Sequence, residues 1–286
     1  MSSFSIRQMS RSDLDIAIAW AQQEGWRPGV FDADHYYPTD TTGFFLGVLG
    51  DEPIACISAV KYDDSFGFIG FYIVKPEYRH QGYGIQLWRQ AMSYLAGCNI
   101  GLDGVVAEQA NYQKSGFVTA YRNLRYQGIN HSNTAPAEIS ALMPLTDVPF
   151  DVLQTYDCLH FPASRPTFLA SWRQQREGAG LACYDGVTLT GYGVIRVCDG
   201  GYRVGPLFAD GVEQAQTLLA GLLVQIPEGA AFFIDMPEPN TDALALVNAW
   251  EMQPVFETAR MYTQHNPAVA IAQIFCRDNI RIRITI

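Results

Sequence analysis

The feature that most constrains the fold is a change of hydrophobic periodicity within residues 68–95, FIGFYIVKPEYRHQGYGIQLWRQAMSYL. Residues 68–74 are almost all apolar or glycine, which predicts a buried strand, and Pro76 ends it. In residues 85–95 the apolar side chains instead recur at helical spacing, which predicts an amphipathic helix. The stretch therefore predicts a strand, a short loop and a helix.

The loop between this strand and helix has the spacing R-x-x-G-x-G, formed by Arg79, Gly82 and Gly84. Two positions without a β-carbon let backbone N–H groups approach a ligand closely. The start of a helix adds N–H donors without intrahelical partners and the positive end of the helix dipole. Together these features predict a site for a phosphate or pyrophosphate group.

Length and composition narrow the class of protein. A chain of 286 residues predicts about two domains, and 48% hydrophobic with 17% charged residues predicts a sizeable core. The net charge of −10 argues against general binding to nucleic acid or to an anionic membrane, because both repel an acidic surface.

The sequence also predicts a cytoplasmic protein. Its N-terminus has no basic region followed by an apolar run, so no signal peptide is expected, and no apolar run reaches the roughly 18 residues of a membrane span. The six cysteines are scattered without a C-x-x-C pair, which predicts reduced core thiols, and the five dispersed histidines predict no metal site.

The first half predicts a meander of strands that leads into the glycine loop. Ser10 and Asp13 resemble a capping box, and residues 24–37 form an aromatic and acidic segment that is irregular or weakly helical. The other predicted elements are strands at 4–9, 43–49, 54–61, 98–107 and 117–126 and a short helix at 109–115.

The second half, after a predicted linker at 127–138, repeats this order and so indicates a diverged internal duplication. Where the first half has its arginine and glycine loop, the second has GPLFAD with Asp210, a residue that would repel phosphate. The predicted elements are strands at 138–143, 180–184, 187–197, 201–207, 230–236 and 254–263, and helices at 147–158, 165–176, 213–225 and 241–250.

Two motifs give the first half a family resemblance. VKPEYRHQGYGIQL, at 74–87, and YQKSGF, at 112–117, resemble the pyrophosphate loop and the Tyr-x-x-x-Gly-Phe element of the GNAT superfamily of acyl-CoA-dependent N-acetyltransferases. The resemblance covers roughly residues 4–127. The whole chain also resembles the two-domain YitH-like group, through EGWRPG, GLDGV, GPLFAD and the RMY of residues 260–262.

The resemblance implies the fold and the domain arrangement. The expected class is α+β (α/β), a GNAT fold with a mixed, mostly antiparallel sheet flanked by helices and a second, half-related domain. The implied domains are 1–130, which binds acetyl-CoA, and 136–286, which lacks the cofactor motif.

The resemblance also implies acetyl-CoA as cosubstrate, with no metal, and a splayed fourth strand that lends backbone groups to the thioester. The implied cofactor-binding residues are Tyr72, Ile73, Val74, Arg79, His80, Gln81, Gly82, Tyr83 and Gly84. Tyr112 is the implied general acid for the CoA thiolate, because a phenol has a higher pKa than a thiol. A packing role against the sheet is the alternative for this tyrosine.

The expected acceptor is a small-molecule amine such as an amino acid derivative or a polyamine. Acidic and aromatic residues suit a cation, so the candidate acceptor contacts are Glu24, Trp26, Asp32 and Asp103. Asp103 is also a candidate base, with a turn-forming role before Gly104 as its alternative. His160, Arg165, Arg260 and Tyr262 could reach a cleft between the domains, although each residue type is more often structural.

Two other classes of protein remain open. A Rossmann domain fits poorly, because Leu87 stands where its third glycine would be and a meander precedes the loop. A non-catalytic acyl-CoA sensor would keep the glycine loop but would not need Tyr112. The expected partners exclude nucleic acid and membrane, and the second domain is expected to wall the acceptor site or to mediate homodimer contacts.

Overall fold

The computed structural model describes residues 3–131 and 137–278, with the backbone alone at 137 and 138. The described chain forms two compact units. The first contains residues 3–120 and Thr258–Asn266, and the second contains Tyr121–Glu257 and residues 267–278. Each unit is therefore built from two separate segments of the chain.

The first unit is a twisted sheet with helices on it. Its strands follow the order β1-β2-β3-β4-β5-β12, and all neighbours are antiparallel except β4 and β5. Its elements are β1 (Phe4–Gln8), α1 (Asp13–Gln23), α2 (Asp32–Tyr36), β2 (Phe44–Leu49), β3 (Glu52–Lys61), β4 (Phe66–Val74), α3 (Tyr83–Tyr94), β5 (Asn99–Val105), α4 (Gln109–Lys114) and the second half of β12 (Gln253–Tyr262).

The core of the first unit lies between the sheet and α3. Leu87, Trp88 and Ala91 of that helix pack on apolar side chains of β3, β4 and β5. All nine residues of β4 are buried, as the apolar run predicts. The Ser10–Asp13 capping box is confirmed, since Ser10 N donates to Asp13 Oδ2 at 2.8 Å and Asp13 N donates to Ser10 Oγ at 3.3 Å.

The second unit has the strand order β6-β11-β10-β9-β8-β7, and β13 also pairs with β10. A core of leucines from α7 lies against this sheet. Its elements are β6 (Val118–Ile129, whose first three residues belong to the first unit), β7 (Met143–Pro144), α5 (Phe150–Asp157), α6 (Pro166–Trp172), β8 (Gly178–Tyr184), β9 (Leu189–Cys198), β10 (Gly201–Ala209), α7 (Val212–Val224), β11 (Ala231–Pro237), α8 (Thr241–Ala249) and β13 (Ile274–Cys276).

One strand prediction is wrong. Residues 138–143 do not form a strand, because a 3-10 helix occupies Ala137–Ala141 and only Met143 and Pro144 pair with β8. Proline has no N–H to continue a ladder, so the pairing stops at once. Of the predicted linker at 127–138, residues 127–129 belong to β6, and residues 132–136 lie outside the described part of the chain.

Candidate active site

The first feature of the site is the separation of β4 from β5. These two parallel strands are in register for three residue pairs, and the last pair is Phe68 opposite Gly101. Further along, the ladder between β3 and β4 shifts register, and Phe71 adopts a left-handed φ of 44°. Such a bulge bends its strand. Beyond Phe68 the two strands therefore separate, and the described residues place no strand in the gap between them.

Tyr72, Ile73 and Val74, the predicted thioester-binding residues, lie on this edge of β4. Tyr72 is buried and stacks on Trp88 with ring centroids 5.6 Å apart. Burial raises the pKa of the Tyr72 phenol, and the Glu108 carboxylate adds to the effect, so the group stays neutral. A β-carbon at Gly84 would lie 2.9 Å from the Tyr72 hydroxyl. Close packing of α3 on β4 therefore requires Gly84.

The second feature is the loop from β4 to α3. Its middle is exposed, with left-handed φ angles of 62° at His80 and 81° at Gly82. Gly82 is the N-cap of α3 without a side-chain cap, and the space beside its α-carbon is open. The predicted phosphate-binding residues His80, Gln81, Gly82 and Tyr83 thus present backbone at the positive end of a twelve-residue helix. A pyrophosphate group fits this geometry.

Arg79 lies at the base of this loop, and its side chain points into the unit. Its Nε donates to the carbonyl oxygen of Val74 at 2.8 Å, and its Nη2 donates to the carboxylate of Glu24 at 2.5 Å. The structure thus brings a predicted cofactor residue and a predicted acceptor residue into one ion pair.

The third feature is Tyr112 in α4. Its side chain is 1% exposed, and its ring lies 5.7 Å from that of Trp88. A β-carbon at Gly104 would lie 2.8 Å from the Tyr112 ring, so β5 needs glycine there. The helix end is closed by Gly116, with φ 89°, and by a hydrogen bond from Phe117 N to the Tyr112 carbonyl. The ring is thus held rigidly beside the Tyr72–Trp88 stack.

Asp103 forms a buried, bidentate ion pair with Arg260. The two Arg260 donors Nε and Nη2 lie 2.7 and 3.0 Å from the carboxylate oxygens, and Asp103 is 2% exposed. The guanidinium also lies 5.0 Å from the centre of the Phe68 ring and 3.3 Å from the Tyr262 hydroxyl. Both carboxylate oxygens are bonded to a buried guanidinium, so this geometry favours an anchoring role for Asp103.

The remaining predicted acceptor residues form the segment after α1. Trp26 is buried, and its backbone N–H donates to Ala21 O. Asp32 is buried at the start of α2, where its carboxylate accepts the N–H of Gly29 at 2.9 Å. These contacts fix the course of the segment. Contact of Glu24, Trp26 or Asp32 with an acceptor stays a prediction.

In the second unit the equivalent gap is filled. β10 and β11 are parallel and in register at Tyr202–Phe232 and Arg203–Phe233. β13 then pairs with β10, through Leu207–Cys276 and Phe208–Ile274, and Arg277 N donates to Asp235 O of β11. A segment of the chain itself therefore bonds to both separated strands.

The polar side chains predicted as candidates in the second unit, His160 and Arg165, are buried and bonded to other residues of that unit. His160 is buried, stacks on Phe208 and has both ring nitrogens within 3.1 Å of an oxygen acceptor, and burial lowers its pKa. Arg165 is buried between the carboxylates of Asp157 and Asp278. A cavity of about 470 Å³ in this unit is lined by Cys183, Asp185 and Glu213 among others, away from both of these side chains.

The described residues contain neither a cluster that could hold a metal ion nor a helix that could span a membrane. No group of three or more histidine, cysteine or acidic side chains in residues 3–131 and 137–278 is placed to hold a metal ion. Within the same ranges, no helix has the length and apolar character needed to cross a membrane.

Comparisons with known proteins agree with the motifs in both halves. The profile of the acetyltransferase (GNAT) family matches residues 10–117, and that of a second acetyltransferase (GNAT) domain matches residues 153–276. Holothin acyltransferase from Pseudoalteromonas sp. (strain SANK 73390) is 31% identical over 258 residues, which are 90% of this chain and 87% of that protein.

Solved structures resemble the fold over almost its full length. A Pyrococcus horikoshii protein assigned provisionally as an acetyltransferase matches with a TM-score of 0.81 and 21% identity, over 97% of this chain and 95% of that one. A tandem GNAT protein from the clavulanic acid biosynthesis pathway matches with a TM-score of 0.63 and 13% identity, over 91% and 98%. These matches confirm the predicted fold class.

Proposed function

Because the chain belongs to the acetyltransferase (GNAT) family of acyltransferases, we propose that it moves an acetyl group from acetyl-CoA to the primary amine of a small molecule. The observation that carries this proposal is the gap between β4 and β5. This gap lies at the end of the strand that leads directly into the glycine loop and α3.

The chain's own groups suit the three parts of such a donor. The exposed amides from His80 to Tyr83, at the positive end of α3, would hold the pyrophosphate. The β4 edge at Tyr72–Val74 has no register pair with β5, and Arg79 already holds the Val74 carbonyl. This edge would accept the extended pantetheine arm as an added strand and would orient the thioester carbonyl. No metal is required, because a thioester is already activated.

In the reaction, the neutral amine attacks the thioester carbonyl, a C–N bond forms and the C–S bond breaks. Tyr112 would give its phenolic proton to the departing CoA thiolate, the proton released from the acylated nitrogen would leave to solvent, and the phenolate would regain a proton from solvent. The ring's fixed position beside Tyr72 and Trp88 supports a positioned acid. A phenol has an ordinary pKa of about 10 and so carries a proton that it can give to a thiolate.

The acceptor class is supported by the relative whose name gives holothin as the acylated compound. Holothin is therefore the first acceptor to test, followed by polyamines and amino acid derivatives. A cytoplasmic location and a homodimer stay predictions.

The test is an acceptor screen with acetyl-CoA, in which thiol release is followed by a chromogenic reagent and products are identified by mass spectrometry. We expect thiol release only when an accepted amine is present. The exposed thiol of Cys158 contributes a fixed background, which the reaction without acceptor measures. If CoA binds but no amine in a broad panel is acetylated, the chain is a sensor and the catalytic proposal is wrong.

A further inference from the structure

The ion pair between Glu24 and Arg79 joins the end of α1 to the base of the glycine loop. Glu24 is the C-cap of α1, and Arg79 lies three residues before Gly82. The side chains are 15% and 17% exposed, respectively, so solvent screens this pair less than it screens a surface pair. The shortest N–O distance is 2.5 Å.

The guanidinium uses one edge for both internal contacts. Nε bonds the carbonyl of Val74, the last residue of β4, while Nη2 bonds Glu24. Since a guanidinium is planar and rigid, these two bonds fix its orientation as well as its position. Arg79 therefore connects three elements, which are the end of β4, the end of α1 and the loop itself.

This placement changes the role of both residues. The Nε–Nη2 edge of the guanidinium is already bonded to Val74 and Glu24, so this edge does not face a phosphate group. We propose that Glu24 and Arg79 form a strut that positions the loop amides for the pyrophosphate of acyl-CoA. Glu24 is thus a positioning residue for the donor rather than a contact for the amine. This inference rests on the proposed function, because it assumes that the loop binds acyl-CoA.

The direction in which Glu24→Gln changes the affinity for CoA distinguishes a strut from a role of Arg79 as a direct phosphate ligand. In Glu24→Gln the strut loses its charge-assisted bond, so loop order and CoA affinity should fall. If Arg79 instead bound the phosphates directly, Glu24 would compete with them, and Glu24→Gln would raise the affinity for CoA.

The experiment measures dissociation constants of CoA and of pantetheine by titration calorimetry on the full chain. We expect Glu24→Gln to weaken CoA about five- to tenfold, as for loss of a partly buried charge pair, and to leave pantetheine unchanged. Arg79→Lys should weaken CoA similarly, because an ammonium cannot make both bonds. In the double variant Glu24→Gln/Arg79→Gln, the loss should be no larger than in Arg79→Gln alone.

Glu52→Gln is the matched control. Glu52 also accepts a bond from a lysine of the same loop, Lys75, at 2.7 Å, but its side chain is 48% exposed. We expect less than about a twofold change in CoA affinity. Equal melting temperatures of the variants would show that each one is folded.

The remaining outcomes contradict the inference in distinguishable ways. Tighter CoA binding in Glu24→Gln would show that Arg79 is the phosphate ligand. Unchanged CoA binding with a raised KM for the amine would make Glu24 an acceptor contact. If the wild-type chain binds neither CoA nor acetyl-CoA, the proposed function itself fails, and the strut fails with it.

Discussion

In each unit a pair of parallel strands separates, β4 from β5 in the first and β10 from β11 in the second, and the two openings differ. In the first unit the register of β4 and β5 ends at Phe68, and the described residues place no strand between them beyond it. In the second unit β13 occupies the corresponding position and bonds to β10, with its next residue bonding to β11. The second unit thus closes this opening with its own chain, whereas the described residues of the first unit leave it for the ligand that we propose.

The two units also differ in the connection from the separated strand to the following helix, which is β4 to α3 in the first unit and β10 to α7 in the second. β4 is joined to α3 by eight residues, 75–82, whereas β10 is joined to α7 by Asp210 and Gly211 alone. In the short connection of the second unit, the Asp210 carboxylate accepts a hydrogen bond from the Tyr156 hydroxyl. The second unit therefore keeps the helix and loses the loop that would make its N-terminus a binding site.

The helices that follow show a third difference. Phe117 N bonds to the carbonyl of Tyr112, and Met252 N bonds to that of Val247, so Tyr112 and Val247 occupy the same place at the ends of their helices. Valine has no proton to donate. Both helices thus share the backbone pattern at their ends, whereas the side chain that we propose as the acid is replaced by valine in the second unit.

The largest effect is expected at this pair. Tyr112→Phe should lower kcat by about 10²- to 10⁴-fold, with little change in the KM for acetyl-CoA, because only the proton donor is lost. Val247→Ala should cost about 2 kcal/mol of unfolding free energy and leave kcat unchanged. Steady-state kinetics and urea titrations measure both. Unchanged turnover in Tyr112→Phe would show that the tyrosine only packs.

The next largest effect is expected in β13, the strand that closes the opening between β10 and β11. Phe275, in the middle of β13, is fully buried in the core of the second unit. Phe275→Ala should lower the free energy of unfolding by about 3–5 kcal/mol. Calorimetry should still give one CoA per chain for the wild type and for this variant. Two CoA molecules per chain would mean that the second unit also has a CoA site, which would contradict the proposed difference between the units.

A smaller effect is expected at the helix caps. Gly82 has a left-handed φ of 81°, whereas Gly211, the N-cap of α7, is extended at −159°. Gly82→Ala should cost about 1–2 kcal/mol, since an L-residue is strained there. Gly211→Ala should cost a few tenths at most, because its β-carbon would meet only the flexible Gln214 side chain. Thermal denaturation of the two variants measures the difference, and equal losses would contradict it.

The smallest effect concerns alkaline stability. Burial raises the pKa of the Cys276 thiol in β13 to about 12. Because the folded pKa lies above the unfolded one, the stabilisation is complete below the unfolded pKa and is lost as the pH rises through 12. Between pH 7 and 10, wild type should lose about 1 kcal/mol more than Cys276→Ala in urea titrations. Cys158→Ala, which removes an exposed thiol, should show the wild-type slope.

The parts of this picture that sequence predicts are local. The apolar run before Pro76 and the helical period of residues 85–95 each depend on near neighbours, and the strand and the helix are both found as predicted. The phosphate site that the glycine spacing indicates stays a prediction. Both GNAT matches likewise agree with the motifs of the first half and the repeated order of the second.

The parts that sequence does not predict are contacts between distant residues. Arg260 meets Asp103 across 157 positions, and Glu24 meets Arg79 across 55. No periodicity connects such partners, so the sequence alone does not distinguish an acid in a structural ion pair from one that contacts substrate. β13 is missed for a related reason, since three apolar residues without turn signals match no strand pattern until β10 is placed beside them.

The composition of the first unit has a consequence for synthesis of the protein. Its sheet includes Thr258–Tyr262 of β12, and Arg260 in that segment holds the Asp103 carboxylate. A nascent chain that has emerged only to residue 120 lacks this strand and this guanidinium. At about 5–20 residues per second, the ribosome needs on the order of 10 s more to deliver them. The half that carries the acyl-CoA motifs starts first and is finished last, so translation of the second half controls when the enzyme matures.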